Sequence, residues 1–369
     1  MPHWVPDGAL PDASTQVKGL FVDIDDVRPR PTMRDVAALA GVSLKTVSRV
    51  VNAEAGVSAE LESKVKAAAL QLDYQPNLTA SNLRRSDGRS RSIGLLLENV
   101  ANPFSGALHR AIEEVARKRD VLVLAASLDE DETRERELAR ALVSRRVDGL
   151  IIMPVADDQS YLLTERRAGT PMVFVDRPPS HLDADTVLAG NADGAQVAVE
   201  HLIEHGHRRI AYLGDDAWIS TAVERHEGYV TALRTAGVNY DAAIVRHGLR
   251  TSESACAALD DILTQPNPPT AVFASQNFVT IGACQSLHKL GLHHRVALVG
   301  FDEIATADMV EPALTLVVQD IEGMGTKAAE LLFSRIDGEE NVSQRCVFAT
   351  RLVVRGSGEI AGPYQLGLN

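Results

Sequence analysis

From residue 93 onward, short apolar runs alternate with amphipathic stretches. The apolar runs read SIGLLL, DVLVLAAS, VDGLIIMPV, TPMVFVD, RRIAYLG, TAVFAS and RVALVGFD. Such runs are typical of strands that are buried on both faces of a sheet. The stretches between them, such as 105–119 and 134–146, have helical spacing, and this alternation predicts doubly wound parallel sheets. The pattern is too long for one such sheet, so we predict an α/β core of two lobes with a cleft between them, over residues 93–357.

A different pattern precedes the core. The run PTMRDVAALAGVSLKTVSRVVN, residues 31–52, predicts two short helices around a corner at Gly41, with Ser43 capping the second helix. Val47, Val50 and Val51 share one face of that helix. The other face carries Leu44, Lys45, Ser48, Arg49 and Asn52. We predict a small all-α domain over 31–75, a hinge and linker over 76–92, a disordered extension over 1–30 and a tail over 358–369.

Charge is distributed unevenly along the chain. The 369 residues carry a net charge of −13, but residues 31–92 contain nine basic and six acidic residues, so this part carries +3 and the remainder −16. A small basic module on an acidic body indicates a polyanionic partner. The chain shows neither a signal peptide nor an apolar run long enough to cross a bilayer, and Cys256, Cys284 and Cys346 lack metal-like spacing. These features predict a cytoplasmic protein that does not bind membranes.

The polar face of the second helix could recognise DNA. Hydroxyl and amide groups near a helix N-terminus bind phosphate, and Arg or Lys side chains read guanine edges in the major groove. The alternative is a helical hairpin whose polar face is simply solvated.

The segments DVAALAGVSLKTVSRVVN, VSAELESKVKAAALQLDYQPN and ASNL resemble the DNA-binding module of the lactose-repressor/galactose-repressor family. The resemblance implies a helix-turn-helix domain in which Leu44, Lys45 and Arg49 read bases. It also implies that PNLTASNLR, residues 76–84, is a hinge whose Leu83 wedges into the minor groove. Alternatively, Leu83 is a linker residue that contacts its own protein. The residues implied to hold backbone phosphates are Thr32, Ser43, Thr46, Ser48, Asn52, Tyr74 and Asn77.

The resemblance continues more loosely to about residue 357 and implies the periplasmic-binding-protein architecture, which the family uses as a ligand sensor. Asp302 directly follows a buried run, where parallel sheets place ligands. Asn277 stands where the family usually has Asp, and Arg225 with Arg250 would favour an acidic or phosphorylated ligand. The alternatives are a structural ion pair for Arg225 and Asp302, and solvated surface charges for Arg250 and Asp193. The candidate effector-binding residues are Phe104, Asp193, Arg225, Arg250, Gln276, Asn277, Asp302 and Gln319.

We therefore predict a transcription repressor that binds a palindromic operator in double-stranded DNA as a homodimer. A small-molecule effector, a sugar or sugar derivative, would control its affinity for the operator. The alternative is a transport-associated sugar-binding receptor. No phosphate-binding loop, nucleophile elbow or paired-cysteine metal site indicates an enzyme, a cofactor or a metal. His205 and His207 lie two residues apart with no cysteine or carboxylate cluster beside them, which favours packing over metal binding.

Overall fold

The computed structural model describes residues 30–51, 56–75 and 89–364. The chain divides into two compact units, Met1–Gly88 and Arg89–Asn369. The predictions for Asn52, Asn77 and Leu83, and for the extension before residue 30, lie outside the described residues. None of the helices among the described residues is long and apolar enough to span a membrane.

The first unit contains three helices: α1 Met33–Ala40, α2 Leu44–Val51 and α3 Ala59–Gln71. Their apolar faces meet in a small core that contains Val36, Val47 and Val65, each at most 1% exposed. Ser58 caps α3, because its hydroxyl accepts a hydrogen bond from the backbone N–H of Leu61.

The second unit contains two lobes, each built on a six-stranded sheet. The N-lobe strands are β1 Ser92–Leu97, β2 Leu122–Ser127, β3 Leu150–Ile152, β4 Met172–Val175, β5 Asp185–Ala189 and β11 Arg345–Phe348. They are all parallel, in the order β11-β5-β4-β3-β1-β2. The helices of this lobe are α4 Pro103–Arg117, α5 Glu132–Ser144, α6 Leu163–Arg167 and α11 Ile321–Ile336, with a 3₁₀ turn at Ser160–Leu162.

The C-lobe strands are β6 Ile210–Leu213, β7 Val245–Arg246, β8 Ala271–Ala274, β9 Ala297–Phe301, β10 Thr315–Val318 and β12 Arg351–Val353. Their order, β12-β10-β9-β8-β6-β7, repeats that of the N-lobe, and only β12 pairs in the antiparallel direction among these strands. The helices are α7 Asn191–Glu204, α8 Ser220–Thr235, α9 Ser252–Leu263 and α10 Asn277–Lys289, with a 3₁₀ turn at Ala242–Ile244. The predicted fold class, a helix-turn-helix domain with a two-lobed parallel α/β core, is confirmed.

The chain crosses between the lobes three times, after β5, β10 and β11. One difference from the sequence prediction concerns β2, which we expected to be buried on both faces. It lies at the edge of its sheet, and Leu122 at its start is 63% exposed. Residues 357–364 continue along the C-lobe, where Ser357 is buried and Gly362 donates its N–H to the carbonyl of His205.

Candidate functional site

The corner of the first unit is fixed by two local structures. Gly41 ends α1 with a φ of 65°, a left-handed conformation that glycine adopts without a Cβ clash. Ser43 then begins α2, because its Oγ accepts a hydrogen bond from the backbone N–H of Thr46 at 3.1 Å and lies 2.9 Å from the Thr46 hydroxyl. At the start of α1, the carboxylate of Asp35 accepts hydrogen bonds from the backbone N–H and the hydroxyl of Thr32, both at 2.7 Å. These bonds, the backbone one first, lower the pKa of Asp35.

Helix α2 presents its polar face outward. Val47 is fully buried, whereas Ser43, Leu44 and Lys45 are exposed and Arg49 is half-buried. An apolar side chain such as Leu44, 46% exposed beside a lysine on the first turn of a helix, is suited to contact a base edge or a thymine methyl group. Thr46 and Ser48 are half-buried along the same helix.

Tyr74 differs in placement from the other predicted DNA contacts. Its ring packs against the small core of the first unit, and its backbone N–H donates to the carbonyl of Ala69 at 2.8 Å. Burial raises the pKa of Tyr74. The ring therefore helps to fix the end of α3.

Within the second unit, a cavity of about 450 Å³ lies between the lobes, at the carboxyl ends of their parallel strands. Doubly wound sheets place ligands at this edge, because the strand ends and the following loops diverge there. Seven of the eight predicted effector-binding residues line the cavity: Phe104, Arg225, Arg250, Gln276, Asn277, Asp302 and Gln319.

Asp193 does not line the cavity. It lies exposed on the first turn of α7, whereas Asn191, the first residue of that helix, is buried and contacts Arg225. A step of two residues along a helix turns a side chain by about 200°, so only one of these two residues can face Arg225. The placement of Asp193 in the effector site is therefore not supported, and it is a solvated surface residue.

Arg225 lies on helix α8, is 6% exposed and is held in place by three contacts. Its Nε donates to Asn191 Oδ1 at 2.8 Å, its Nη1 donates to the carbonyl of Ser275 at 2.7 Å, and its guanidinium lies 3.9 Å from the ring centroid of Phe301. A guanidinium has five N–H donors, so these two hydrogen bonds leave three that make none to the described part of the chain. Arg225 is thus rigidly placed and still able to donate into the cavity.

Asp302 follows β9 directly and is 6% exposed. Its Oδ1 accepts from Gln319 Nε2 at 2.6 Å, its Oδ2 accepts from the Asn277 backbone N–H at 3.3 Å, and Arg225 Nη1 lies 3.8 Å away. Its φ of 73° lies in the left-handed region, where non-glycine residues are uncommon and concentrate at functional sites.

The N-lobe repeats this arrangement. Asp176 follows β4, the strand that corresponds to β9 in the sheet order, and its φ is 68°. It is buried, and burial raises the pKa of its carboxyl group. Next to it, Arg177 donates to both carboxylate oxygens of Glu130, at 2.6 and 3.0 Å. The cavity therefore has a buried aspartate and a buried arginine from each lobe.

Two further carboxyl groups face each other across the cleft. Glu98 follows β1 in the N-lobe, and Asp215 follows β6 in the C-lobe. Burial, reinforced by the charge of Glu130, raises the pKa of Glu98 to about 7, and burial also raises the pKa of Asp215. Burial thus favours the neutral form of Glu98, which both donates and accepts hydrogen bonds.

Three buried polar atoms of the cavity lining have no hydrogen-bond partner among the described residues. They are Ser105 Oγ, Arg177 Nε and Gln319 Oε1. Buried polar groups in proteins are nearly always paired, and each exception requires an explanation. Arg177 Nε is a donor, Gln319 Oε1 is an acceptor, and the hydroxyl of Ser105 is both. A ligand that pairs with groups of all three kinds must both donate and accept, as a hydroxyl group does.

Sequence reasoning missed Glu98, Glu130, Asp176, Arg177 and Asp215 as cavity residues. Each of them lies within three residues of the carboxyl end of a parallel strand. The rule that selected Asp302 would have selected these residues too, had it been applied to every strand.

Asn277 also connects the lobes. Its Nδ2 donates at 2.8 Å to Oδ1 of Asn102, the residue that caps helix α4. The aspartate that the resemblance implies at this position could not donate this bond, because an ionised carboxylate has no donor. The departure therefore exchanges a charge for a hydrogen bond across the cleft.

Two family models match the chain. Residues 32–77 match "Bacterial regulatory proteins, lacI family", and residues 199–358 match "Periplasmic binding protein-like domain". Among curated relatives, the chain is 32% identical over 329 residues to the ribose operon repressor of Escherichia coli (strain K12), covering 88% of this chain and 99% of that protein. It is 35% identical over 347 residues to the HTH-type transcriptional regulator CelR of Thermobifida fusca, covering 90% and 99%.

Solved structures agree with these matches. A CelR–cellobiose complex superposes with a TM-score of 0.65 at 33% identity, covering 89% of this chain and all of that chain. The lac repressor dimer bound to operator and the anti-inducer ONPF superposes with a TM-score of 0.79 at 26% identity, covering 90% and 100%. The relatives named here are regulators and repressors, which supports the prediction of a regulator over that of an enzyme.

Proposed function

The chain belongs to the LacI family of bacterial regulatory proteins, and from this premise we propose that it is a repressor controlled by an uncharged sugar. The sugar would bind in the cavity between the lobes and change the affinity of the first unit for an operator. DNA as the target implies action in the cytoplasm, where a bacterial chromosome lies. A transport-associated receptor is the weaker alternative, because such a receptor would not need the DNA-binding domain that the family match at residues 32–77 indicates.

One observation carries the proposal for the ligand class: residues that line the cavity have buried donor and acceptor atoms that make no hydrogen bond among the described residues. These atoms are Ser105 Oγ, Gln319 Oε1 and Arg177 Nε, of which the last lies 3.8 Å from Asp176 Oδ2. A sugar hydroxyl donates one hydrogen bond and accepts up to two, so a polyol can pair with all three kinds of group. Phe104, 9% exposed in the lining, offers an apolar surface for a ring face.

The charge of the lining argues against an anionic ligand. Six carboxyl groups and three guanidinium groups line the cavity. Burial raises the pKa of Glu98, Asp176 and Asp215, and the three other carboxyl groups equal the guanidinium groups in number. Each arginine also has an acidic neighbour: Glu130 for Arg177 at 2.6 Å, Asp302 for Arg225 at 3.8 Å and Asp216 for Arg250 at 3.9 Å. Our expectation from the sequence that Arg225 and Arg250 favour a phosphorylated ligand is not supported, because it took no account of these carboxylates.

The cellobiose complex of CelR and the name of the ribose operon repressor support a sugar as the ligand class. Of the groups on this chain, Asp302 would accept from hydroxyls and Arg225 would donate to ring or hydroxyl oxygens. Gln276 has a different role in the proposal. Its Oε1 caps α10 by accepting the N–H of Phe278 at 2.9 Å, so it would shape the cavity and leave recognition to its neighbours.

On the DNA side, we propose that Leu44, Lys45 and Arg49 contact base edges in the major groove. Ser43 and Thr46, at the N-terminus of α2, would contact phosphate groups, which helix N-termini attract. Two copies of the chain would bind a near-palindrome, as the lac repressor dimer binds its operator.

The ligand class can be tested with a matched pair of compounds, D-ribose and D-ribose 5-phosphate, together with cellobiose and an uncharged purine. A ligand at 100 times its Kd stabilises the native state by about 2.7 kcal/mol, which a thermal-unfolding screen detects. We expect an uncharged sugar to raise the unfolding temperature and its phosphorylated form to have less effect. Stabilisation by the phosphorylated form alone would show that the charge argument is wrong.

A further inference from the structure

Helix α7 ends in a cluster of two histidines and a carboxylate. His201 and His205 are four residues apart, so they project from the same side of the helix end, with ring centroids 4.3 Å apart. Glu359, from the C-terminal segment, brings its Oε1 to 3.2 Å from His201 Nε2 and 3.3 Å from His205 Nε2. The three ligand-type atoms lie within 4.8 Å of one another.

We propose that His201, His205 and Glu359 bind a divalent transition metal ion, for which Zn²⁺ is the probe. For His205 and His207 the sequence favoured packing over metal binding, whereas the structure places Glu359, 154 positions beyond His205, next to His205 and His201. The proposal is independent of the ligand that occupies the cavity.

The hydrogen bonds of His205 favour a metal ligand. His205 Nδ1 lies 2.8 Å from the carbonyl oxygen of His201, which can only accept, so Nδ1 carries a proton. In the neutral ring, Nε2 then directs its lone pair at the carboxylate of Glu359. Two lone pairs at 3.3 Å repel each other unless a proton or a metal ion lies between them. Metal-bound histidines commonly have this arrangement, in which the second ring nitrogen donates to a backbone carbonyl.

The distances also fit. Zn²⁺ binds imidazole nitrogen at about 2.0–2.1 Å and carboxylate oxygen at about 2.0–2.2 Å, with tetrahedral geometry. The edge of such a tetrahedron is about 1.6 times the bond length, or about 3.3–3.5 Å. The two nitrogen–oxygen separations, 3.2 and 3.3 Å, lie at this edge length. Metal binding would require His201 Nε2, which also lies 3.2 Å from the carbonyl oxygen of Gly358, to give up the proton that it donates there, and water would complete the coordination of the ion.

His207 is not part of the site. It is fully buried, and its two ring nitrogens lie 2.9 Å from Thr270 Oγ1 and 2.8 Å from the carbonyl of Ile360. It nevertheless anchors the segment that carries Glu359, as does the hydrogen bond from the Gly362 N–H to the His205 carbonyl. A bound ion would add a further attachment of this segment to the end of α7, where His201 Nε2 already lies 3.2 Å from the carbonyl oxygen of Gly358.

The three side chains of the cluster are partly buried, so a metal ion from solvent could reach them. His201 is 9% exposed, whereas the side chains of His205 and Glu359 are 29% and 49% exposed. Replacing Glu359 or His205 therefore removes a ligand without disturbing the core, and loss of folding is not expected to obscure the result.

The test is titration of Zn²⁺ into the chelator-treated, reduced full-length protein, followed by competition with a chromogenic chelator. We expect one bound Zn²⁺ to be weakened by more than about 100-fold in His205→Gln and in Glu359→Gln, since loss of an outer-shell partner alone costs about 10–100-fold. His181→Gln is the matched control, because His181 Nδ1 lies 3.4 Å from Asp158 on the surface, and the described residues near it include no second histidine. This control should bind Zn²⁺ like the wild type.

Two further measurements decide the assignment. Co²⁺ in place of Zn²⁺ should give the visible absorption of a tetrahedral centre in the wild type, and this absorption should be lost in Glu359→Gln. Zn²⁺ should raise the unfolding temperature of the wild type but of neither ligand variant. Equal Zn²⁺ affinity in wild type, His205→Gln and Glu359→Gln would overturn the proposal. The proposal would also be overturned if the wild type bound no Zn²⁺ and Glu359→Gln changed only the pH dependence of stability. That result would identify a simple ion pair between Glu359 and the histidines.

Discussion

Replacing Asp302 with asparagine is the sharpest single perturbation of the cavity. Asparagine keeps the shape of the side chain and, like aspartate, tolerates the left-handed conformation that Asp302 adopts at φ 73°. Alanine at this position would add backbone strain to the loss of contacts. The asparagine substitution therefore removes only the negative charge and the acceptor atom Oδ2. In its place, the amide nitrogen of asparagine would face the backbone N–H of Asn277, which donates to Oδ2 in the wild type.

The magnitude follows from the contacts of Asp302. At 3.8 Å from Arg225, the gross attraction is about 4 kcal/mol for an effective dielectric constant of about 20, and the cost of desolvating both groups offsets much of it. Arg225 keeps its bonds to Asn191 and Ser275, so we expect the free energy of unfolding to fall by only about 1–3 kcal/mol. A hydrogen bond from a ligand hydroxyl to a charged acceptor is worth about 1.5–3 kcal/mol, so sugar affinity should fall about 10–100-fold.

The assay is calorimetric titration of the sugar selected by thermal screening, followed by DNA binding without sugar. Operator affinity of Asp302→Asn without sugar should remain close to that of the wild type, because Asp302 belongs to the second unit. Asp193→Asn is the matched control, since Asp193 is exposed and does not line the cavity. Wild-type sugar affinity in Asp302→Asn, or an equal loss in Asp193→Asn, would refute the assignment of the cavity.

Three other substitutions test separate parts of the account. Arg49→Ala should weaken specific operator binding by about 1–3 kcal/mol and relax the preference at one base pair of each half-site. Fluorescence anisotropy on single-base variants of the operator measures this preference. Unchanged selectivity would show that another element reads the sequence. Glu98 has a pKa raised from 4.5 to about 7, so its contribution to stability is fully present below pH about 4.5 and is lost as pH rises through about 7. The unfolding temperature of the wild type should therefore fall relative to that of Glu98→Gln between pH 5 and 8, and parallel profiles would contradict the environment of Glu98. Asn277→Asp should remove the hydrogen bond to Asn102 and place two oxygen atoms opposite each other. The lobes of the sugar-free protein should then separate, and its radius of gyration in small-angle X-ray scattering should increase. An unchanged radius would show that this bond does not hold the lobes together.

Much of the fold follows from the sequence because its strongest signals are local. The apolar runs became β1, β2, β3, β4, β6, β8 and β9, and the helices expected at 105–119 and 134–146 begin two residues earlier, at Pro103 and Glu132. Both shifts reflect capping by Asn102 and Asp131, whose side chains accept backbone N–H groups of the first turn.

Among the strands that the pattern did not single out, β5, β11 and β12 differ physically from the others, whereas β10 is a fully buried strand that the pattern missed. β5 begins with Asp185, a buried carboxylate that is paired with Arg335 at 2.7 Å, so a charged residue interrupts its apolar pattern. β11 and β12 lie at sheet edges and begin with the exposed residues Arg345 and Arg351. A search for apolar runs that are buried on both faces therefore does not detect them.

The position of Asp302 at a strand end sufficed to predict it, and the family resemblance led to residues such as Arg225 and Asn277. The pairing of Arg177 with Glu130 could not be predicted, because it joins loops 47 positions apart and depends on the strand order. Asp193 was misplaced because the register of a helix relative to the cavity cannot be obtained from spacing alone. Glu359 joins His201 and His205 through a contact between distant segments, for which the sequence contains no local signal.

The central claim is that occupancy of the cavity controls operator affinity. Its most direct test is a titration of the full-length protein onto an operator selected from a random-sequence DNA library, with and without the sugar at saturation, for the wild type and Asp302→Asn. Allosteric coupling of about 1–3 kcal/mol corresponds to a change in operator affinity of about 5–150-fold. We predict such a change in the wild type and none in Asp302→Asn at the same sugar concentration. Equal operator affinity of the wild type with and without a sugar that calorimetry shows to be bound would contradict the account.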